Sequence, residues 1–534
     1  MSQEMQILVP IILSIFTVLL IIIFRKNVYK ILCRIFGLIK DIFKGAIHGI
    51  ANNKDILSFL KKHPKIHIFL KNRFDKKNIY GLTLTKVAIV FLILSLWFYK
   101  LIKNYITLGA LVGSDLRISH LLFYFRDTEL ISLFTFITNF GAPIIIVVFT
   151  AIFIIYSVLL NKKKFITPML FSVLSAGLIN VVLKNIFDRP RPRVSYYIEN
   201  GFSFPSGHST IAVAFYGFIA YFLLRNMKNK KKKVAIIFFA SILIFAIGLS
   251  RMYLGAHYLS DVIGGFLSGA FSLIFAIFIS EILINKKEDH NLSFNKKTKK
   301  ITYAAFCIAL TVVFSFTVFH SKDINVIQNN NNNKVVLDSL NKISDDFENN
   351  NLNKYSETLS GKSGEPMSFF IVAKNDEEFL NFFNKSGWIL ARYPNLKSLT
   401  KVAMSAILNK EDTTAPMTPS FWNAQIHNFG FQKSTNEKTA RKRHHVRFWK
   451  TNMTTSNGEN IYIGTASFDK GIKWGITHSI DPDIDTERDF LFNDLNSTGL
   501  IKNYKKEKFV KPVLGKNFIG DYFFTNGEIY IIEI

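Results

Sequence analysis

The chain has 534 residues, about half of them hydrophobic and 53 of them Phe, with a formal charge of +28. The apolar residues are bunched into long runs, which is the pattern of a membrane protein and excludes a purely soluble one. So basic a soluble protein would suggest nucleic acid, but here most Lys and Arg lie in loops between apolar runs, where positive charge sets topology, and no nucleic-acid partner is expected.

In chain order, the run from Ile7 to Phe24 has no Lys or Arg before it and is followed by Arg25-Lys26. That charge order fits a retained anchor with its N-terminus outside, not a cleaved signal peptide. From 31 to 50, Ile31, Ile35, Phe36, Ile39, Ile42, Phe43, Ala46, Ile47 and Ile50 recur at helical spacing, with Arg34, Lys40 and Lys44 opposite. This predicts a helix in the cytoplasmic interface or packed on the bundle. Further spans are expected at roughly 83–102, 140–160, 166–187, 208–224, 234–251, 260–284 and 301–319, which makes about eight, each near the 20 or so residues a bilayer core needs.

Charge alternates between the intervening loops. The segments 25–82, 161–164, 225–233 and 286–300 are rich in Lys and Arg, whereas 103–139 holds only Lys103, Arg117 and Arg126. The positive-inside rule puts the basic loops in the cytoplasm of a bacterial inner (plasma) membrane and everything after 320 in the periplasm. A polar stretch with Asn329 to Asn333 reads as a linker. Beyond it, Phe369-Phe370-Ile371-Val372 and Asn460 to Ala466 read as strands and Asp376 to Phe383 as a helix start, with a hairpin signal at Thr525-Asn526-Gly527-Glu528. The expected fold is therefore an all-α polytopic membrane helical bundle plus a C-terminal α+β soluble domain. Its segments are an anchor and basic amphipathic region at 1–82, a helical-bundle domain at 83–285, a last span with its preceding loop at 286–320, a linker at 321–365 and a periplasmic domain at 366–534.

Three separated pieces carry chemistry. Lys184 ends one span, and Arg191 follows in Asp188-Arg189-Pro190-Arg191-Pro192, a loop stiffened by two prolines that can hold a guanidinium fork for a phosphate. By itself this piece is also consistent with residues that snorkel at a membrane boundary. Pro205-Ser206-Gly207-His208 opens the next span, where free N–H groups, a positive dipole end and a Ser hydroxyl make a phosphate seat and His208 is placed to protonate a leaving oxygen. Ser250-Arg251 ends a third span, and His257 and Asp261, four residues apart, share a helical face, so that a carboxylate can fix one imidazole tautomer and leave the other nitrogen free to attack. Two spans separate the second piece from the third, so all three fall on one side of the membrane. Such a set takes a phosphate off an alcohol or another phosphate without a metal, and its position at span ends points to a lipid substrate.

The pattern Lys-x6-Arg-Pro, Pro-Ser-Gly-His and Ser-Arg-x5-His-x3-Asp resembles the type 2 phosphatidic acid phosphatase and vanadium haloperoxidase superfamily, over roughly residues 83–285. The resemblance implies His257 as a nucleophile that forms a phosphohistidine, Asp261 as its orienting carboxylate and His208 as the acid that then activates water. It implies Lys184, Arg191, Ser206, Gly207 and Arg251 as the phosphate cradle, with no metal or other cofactor. The expected substrate is a lipid phosphomonoester or pyrophosphate, with undecaprenyl diphosphate first and lipid A phosphate and phosphatidylglycerophosphate close behind. A protein that binds or moves lipid headgroups without turnover is the alternative.

The C-terminal region, with Arg441 to Trp449, Gly464 to Asp469 and His478 to Arg488, resembles the LssY-type domain that follows such phosphatases. His444, His445, His478 and Asp485 are weighed as a metal or phosphate site against a buried polar network. The domain is also a candidate surface for an envelope protein partner. The stretch from about 55 to 82, with Lys61-Lys62-His63-Pro64, resembles the tail of a DedA-type transport module.

Overall fold

The structure, a computed structural model, describes residues 52–284 except 76–78, 198 and 228, then 296–320, and 352–534 except 395–397, 399–411, 436–441, 474–476 and 518–519, together with 335–337, 347 and isolated positions between 34 and 49. Of 79, 296–299, 318–320, 472–473 and 477–478 only the backbone is described. The expected anchor at 7–24 and most of the expected helix at 31–50 lie outside the described residues.

The helices of the N-terminal part are α1 (Lys54–Lys62), α2 (Pro64–Arg73), α3 (Leu84–Ile106), α4 (Ala110–Tyr124), α5 (Thr128–Asn139), α6 (Pro143–Leu159), α7 (Ile166–Phe187), α8 (Gly207–Arg225), α9 (Lys230–Tyr253), α10 (Leu259–Leu283) and α11 (Lys296–His320). Among the described residues six are long and apolar enough to cross a membrane: Tyr80–Ile106, Lys163–Phe187, Gly207–Arg225, Lys230–Tyr253, Leu259–Leu283 and Lys300–Thr317. The run expected as a span at 140–160 holds α6, which is joined to α5 at a short break with a bend of 46°. Pro143 explains the break. It stands in the first turn of α6, where its missing N–H costs nothing, and the residue before it, Ala142, is extended.

Helix α8 is the axis of the bundle and packs on α7, α9 and α10. Its core is aromatic: Phe153, Phe165 and Phe222 are buried together, with Phe222 edge-on to Phe153 at 5.3 Å and to Phe165 at 4.8 Å. Glycines let α10 approach α8. A Cβ on Gly265 would stand 2.6 Å from the Ser206 carbonyl oxygen, and one on Gly269 would overlap the Thr210 carbonyl. This is the small-residue contact by which membrane helices pack without a hydrophobic driving force.

The C-terminal part is α+β. Its strands are β1 (Val335–Leu337), β2 (Tyr355–Glu357), β3 (Ser363–Pro366), β4 (Phe369–Ala373), β5 (Ile389–Leu390), β6 (Phe421–Trp422), β7 (Gln425–Ile426), β8 (Phe429–Ser434), β9 (Arg443–Thr455), β10 (Asn460–Lys473), β11 (Thr477–Ile480), β12 (Asn503–Lys508), β13 (Val513–Lys516), β14 (Tyr522–Thr525) and β15 (Glu528–Glu533). A nine-stranded sheet runs in the order β12-β15-β4-β10-β9-β8-β5, with β1 added on β9 and β11 on β10. Its centre is β4 (Phe369–Ala373), buried along its whole length, with β10 (Asn460–Lys473) antiparallel on one side and β15 (Glu528–Glu533) parallel on the other. A strand covered on both faces reads as an unbroken apolar run. One face carries Phe369, Phe431 and Phe448, against which α12 (Asp376–Lys385) packs Phe379 and Phe383 and α13 (Ile484–Asn496) packs Leu491 and Leu495, and the other carries Phe370, Trp449, Ile461 and Ile463.

The Asn-Gly hairpin expected at 525–528 is not formed. β14 (Tyr522–Thr525) pairs with β13 (Val513–Lys516) in a separate sheet, while β15 pairs with β4 and β12 (Asn503–Lys508). Asp485 accepts from the Thr525 hydroxyl at 2.6 Å and the Asn526 N–H at 2.7 Å and holds the turn open to two sheets.

The chain divides into two compact units, 1–107 with 128–327, and 108–127 with 328–534. Helix α4, which sits in sequence between two bundle helices, therefore belongs to the C-terminal unit. Its Arg117 pairs with Glu357 at 2.9 Å, its His120 ring bonds the Ala424 carbonyl at 2.7 Å, and its Tyr124 ring lies 5.7 Å from that of His427.

Candidate active site

The three motif pieces meet at one end of the bundle. Helix α7 closes at Asp188, which takes a left-handed φ of 44° and turns the chain into the proline-stiffened loop; Asp is among the few residues that accept this conformation. One turn back, the Lys184 ammonium donates to the Phe202 carbonyl at 2.8 Å, so α7 holds the far limb of the loop that returns to α8. Asn180, one turn further back, donates to the Pro205 carbonyl at 3.1 Å, and its Oδ1 lies 3.2 Å from where a Cβ on Gly207 would stand.

Ser206 is the N-cap of α8. It is fully buried, its hydroxyl accepts from the Ser209 hydroxyl at 3.0 Å, and its N–H donates to the Asp261 carbonyl at 3.0 Å. That last bond ties the start of α8 to the first turn of α10. His208 follows on α8 with its ring against the α5–α6 break, where a Cβ on Gly141 would stand 3.2 Å from the His208 Cβ. The charges of Arg251, Glu199, His257 and Arg191 all act on it.

Asp261 is fully buried in the first turn of α10 and accepts from several donors. Its Oδ2 takes the Tyr258 N–H at 2.8 Å, the reciprocal half of a capping box, and also the Ser203 hydroxyl. Its Oδ1 pairs with Arg189 at 2.7 Å, and that guanidinium also lies 4.3 Å over the Tyr258 ring. His257 Nδ1 stands 3.6 Å from Asp261 Oδ2 and 3.4 Å from Ser203 Oγ. The hydroxyl and the carboxylate therefore stand side by side before the imidazole, and both face Nδ1.

The other His257 nitrogen, Nε2, is 3.2 Å from Arg191 Nη1. An arginine has no acceptor, so the shared hydrogen belongs to Arg191 and Nε2 presents a lone pair. Nδ1 then carries the proton and faces Ser203 and Asp261. Burial drives the His257 pKa down to about 4, with Arg251 and Arg191 pushing the same way and Asp261 opposing, so the ring is neutral at physiological pH.

Arg251 is 1% exposed at the floor of the site. It donates to the Thr138 hydroxyl at 3.1 Å, to the Tyr197 hydroxyl and to the Glu199 carboxylate. Arg191 Nη1 reaches the same carboxylate at 2.6 Å and the Ala256 carbonyl at 2.9 Å. Burial alone would raise the Glu199 carboxyl, but Arg251, His257, His208 and Arg191 outweigh it and hold it well below the usual carboxylate range. The fold thus gathers Lys184, Arg191, Ser206, Gly207, His208, Arg251, His257 and Asp261 in one place. Asn180, Arg189, Glu199 and Ser203 join them without having been singled out in the sequence.

In the C-terminal unit the four residues considered together do not converge. His444 bonds Glu487 at 2.8 Å and stacks on Phe490 at 4.1 Å on one face of the sheet. His445, the next residue, faces the other way toward Asp469 at 3.2 Å, as strand alternation requires. Asp485 is engaged with Arg488 and the 525–526 turn, and the His478 side chain lies outside the described residues. Among the described residues no three His, Cys, Asp or Glu side chains are placed to hold a metal. Arg443 pairs with Asp469 at 3.1 Å and Arg447 donates to the Thr418 carbonyl at 3.1 Å, so these bases are drawn into the domain's own polar network.

Comparison with known proteins bears on both parts. Residues 165–286 match the PAP2 superfamily and residues 349–529 match the family described as LssY C-terminus. Phosphatidylglycerophosphatase B of Bacillus subtilis is 33% identical over 181 residues, which is 32% of this chain and 86% of that protein. The chain belongs to the PAP2 superfamily. Lipid A 1-phosphatase of Rhizobium johnstonii is 37% identical over 123 residues, 20% of this chain and 46% of that protein. A crystal structure of a transmembrane PAP2-type phosphatidylglycerolphosphate phosphatase from Bacillus subtilis is 31% identical and covers 37% of this chain and 98% of that one, with a TM-score of 0.34. Every cradle and histidine position described above, from Lys184 to Asp261, falls within the PAP2 stretch.

Proposed function

We propose that this chain is a lipid phosphatase of a bacterial inner membrane, working at the periplasmic face through a phosphohistidine on His257. The reading rests chiefly on one observation: Arg191 donates to His257 Nε2, so the lone pair of a neutral imidazole points at a cradle arginine and is released when a phosphoryl group takes that arginine, while Asp261 and Ser203 stand beside the other nitrogen. That is the arrangement of an oriented nucleophile beside an anion cradle.

In the proposed reaction the Nε2 lone pair attacks phosphorus and the phosphorus–oxygen bond to the lipid breaks. His208 gives its proton to the leaving oxygen. His208 then takes a proton from water, the hydroxide attacks the phosphohistidine, and inorganic phosphate leaves with His257 restored. Lys184, Arg191, Arg251, Ser206 and the Gly207 N–H hold the phosphoryl oxygens throughout, and the chemistry calls for no metal. The basic loops between the spans favour the periplasmic orientation. Among substrates, phosphatidylglycerophosphate now comes first because the relative named for it is matched over 86% of its length. Lipid A phosphate and undecaprenyl diphosphate follow.

Detergent-purified protein assayed against these three lipids in EDTA is expected to release phosphate from at least one, and His257→Ala is expected to lower that release at least a thousandfold, the usual scale for a lost nucleophile. Release that EDTA abolishes, or that survives in His257→Ala, would exclude this mechanism.

A further inference from the structure

The two arginines that a phosphate in this cradle must use are already engaged by a carboxylate from the chain itself. Glu199 Oε2 stands 2.6 Å from Arg191 Nη1, and Oε1 accepts from Arg251 Nη2. The Tyr197 hydroxyl from the same loop takes the other terminal nitrogen of Arg251. Glu199 keeps 22% of its side chain exposed while Arg251 keeps 1%, so the carboxylate enters from the mouth and the arginine forms the floor. The same Arg191 nitrogen stands 3.2 Å from His257 Nε2, so the carboxylate shares an arginine with the histidine that would attack phosphorus.

We propose that Glu199 is an internal competitor for phosphate: its carboxylate closes the cradle of the empty enzyme, yields to the phosphoryl group of a bound lipid, and returns to expel inorganic phosphate. The inference rests on the reading of the cradle as a phosphate site and adds a residue that controls what stays in it.

Three physical points carry it. A buried guanidinium with no counter-charge is strongly destabilising, so an empty cradle containing Arg251 needs an anion. Glu199 supplies one on a loop tethered on both sides, by the Tyr196 N–H bond to the Leu254 carbonyl at 2.9 Å before it and the Arg191 bond to the Gly201 carbonyl at 3.0 Å after it, and a tethered group competes at high effective concentration. A carboxylate and a phosphoryl group also present the same paired acceptors to a guanidinium fork, so the two cannot occupy Arg191 and Arg251 together. A substrate whose acyl chains are held by the membrane brings binding energy beyond its headgroup and can displace the carboxylate. Free phosphate brings none, so Glu199 selects anchored phosphate over free phosphate and shortens the stay of the product.

The test uses the full chain in detergent. Binding of inorganic phosphate is followed by the phosphate-dependent rise in melting temperature, and inhibition by phosphate is followed in the lipid assay. Glu199→Gln keeps the shape and removes the charge; it should bind phosphate about tenfold tighter than the parent, with phosphate inhibition strengthened to match. Glu199→Asp, too short to reach both arginines, should show a smaller gain. If phosphate binds both variants no more tightly than the parent, Glu199 serves only as a structural partner of the arginines and the proposal falls. A parent protein that releases phosphate from lipid while Glu199→Gln gains no affinity overturns this inference alone. A parent that is inactive on every lipid while Glu199→Gln gains affinity overturns the enzymatic reading and leaves the competitor in place.

Discussion

Asp261 shows how one residue in this site serves several purposes. Its carboxylate caps α10 through the Tyr258 N–H, anchors Arg189 from the preceding loop, and faces His257 Nδ1 alongside the Ser203 hydroxyl it accepts from. The motif residues were legible in the sequence because their spacing is set by regular structure: four residues separate His257 from Asp261 on one helical face, and Pro-Ser-Gly-His sits where a helix begins. Glu199, Ser203 and Arg189 were not, because their partners depend on the path of the 188–206 loop, which no periodicity encodes. The same surroundings make a testable statement about pH. Burial and two nearby guanidinium groups disfavour the imidazolium of His257 more than Asp261 favours it, so its value falls to about 4 from an ordinary 6.5. A lowered value means that the ring stays unprotonated as pH falls through 6.5 and takes up its proton only near 4. The acid limb of kcat/KM, if set by His257, is therefore expected at about pH 4. A limb at about 6.5 in stable protein would mean a hydrated ring, contrary to the buried geometry.

The elements of the bundle were read from hydropathy more easily than the bends within it. Six long spans, Tyr80–Ile106, Lys163–Phe187, Gly207–Arg225, Lys230–Tyr253, Leu259–Leu283 and Lys300–Thr317, fall close to their expected places, and α6 lies within the run expected at 140–160. The bent partner α5 was not anticipated, because it has only 12 residues and is too short to register as a span by itself. What hydropathy cannot express is how closely two helices approach, and here that distance sets the site. Gly265 lets α10 lie against the Ser206 carbonyl at the very start of α8, next to His208 on one helix and Asp261 on the other. Gly265→Ala would force a Cβ to within 2.6 Å of that oxygen and 2.8 Å of the Ser209 Cβ. Neither partner is a flexible side-chain end, so the helices must part. The expected cost is about 1–3 kcal/mol of stability, with phosphate release reduced at least tenfold as the two histidines move out of register. Gly177→Ala is the matched control: nothing lies within 4 Å of the added methyl on α7, and melting temperature and activity should hold. Equal behaviour of the two variants would show that the α8–α10 contact does not set the geometry of the site.

At the scale of the whole molecule, linear order misleads. The stretch 103–139 reads as a charge-poor loop between two spans, yet 108–127 contains a helix that forms one compact unit with 328–534. The partners lie more than 200 residues apart in sequence, as with Arg117 and Glu357, a separation of 240, so no local pattern announces them. Both side chains of this pair are nearly buried, at 12% and 8% exposure, and Glu357 also accepts from the Ala424 N–H at 3.0 Å, beside the His120 contact. The pair thus joins α4 to the strand turn at 423–424. In Arg117→Ala the Glu357 carboxylate remains buried without its counter-charge, a change that costs about 3 kcal/mol in comparable settings. Trp388, Trp422 and Trp449 are buried in the same unit, so tryptophan fluorescence in the full chain reports its unfolding. The melting transition of Arg117→Ala should fall by roughly 5–10 °C for a unit of about 200 residues. Adding Glu357→Gln, which removes the stranded charge, should recover part of that loss, the signature of a coupled pair. If Arg117→Ala melts with the parent, α4 is only an adjacent loop and the C-terminal unit holds together without it. If it melts early and the double variant recovers, the segment between two spans of the phosphatase is a working part of the LssY-type fold.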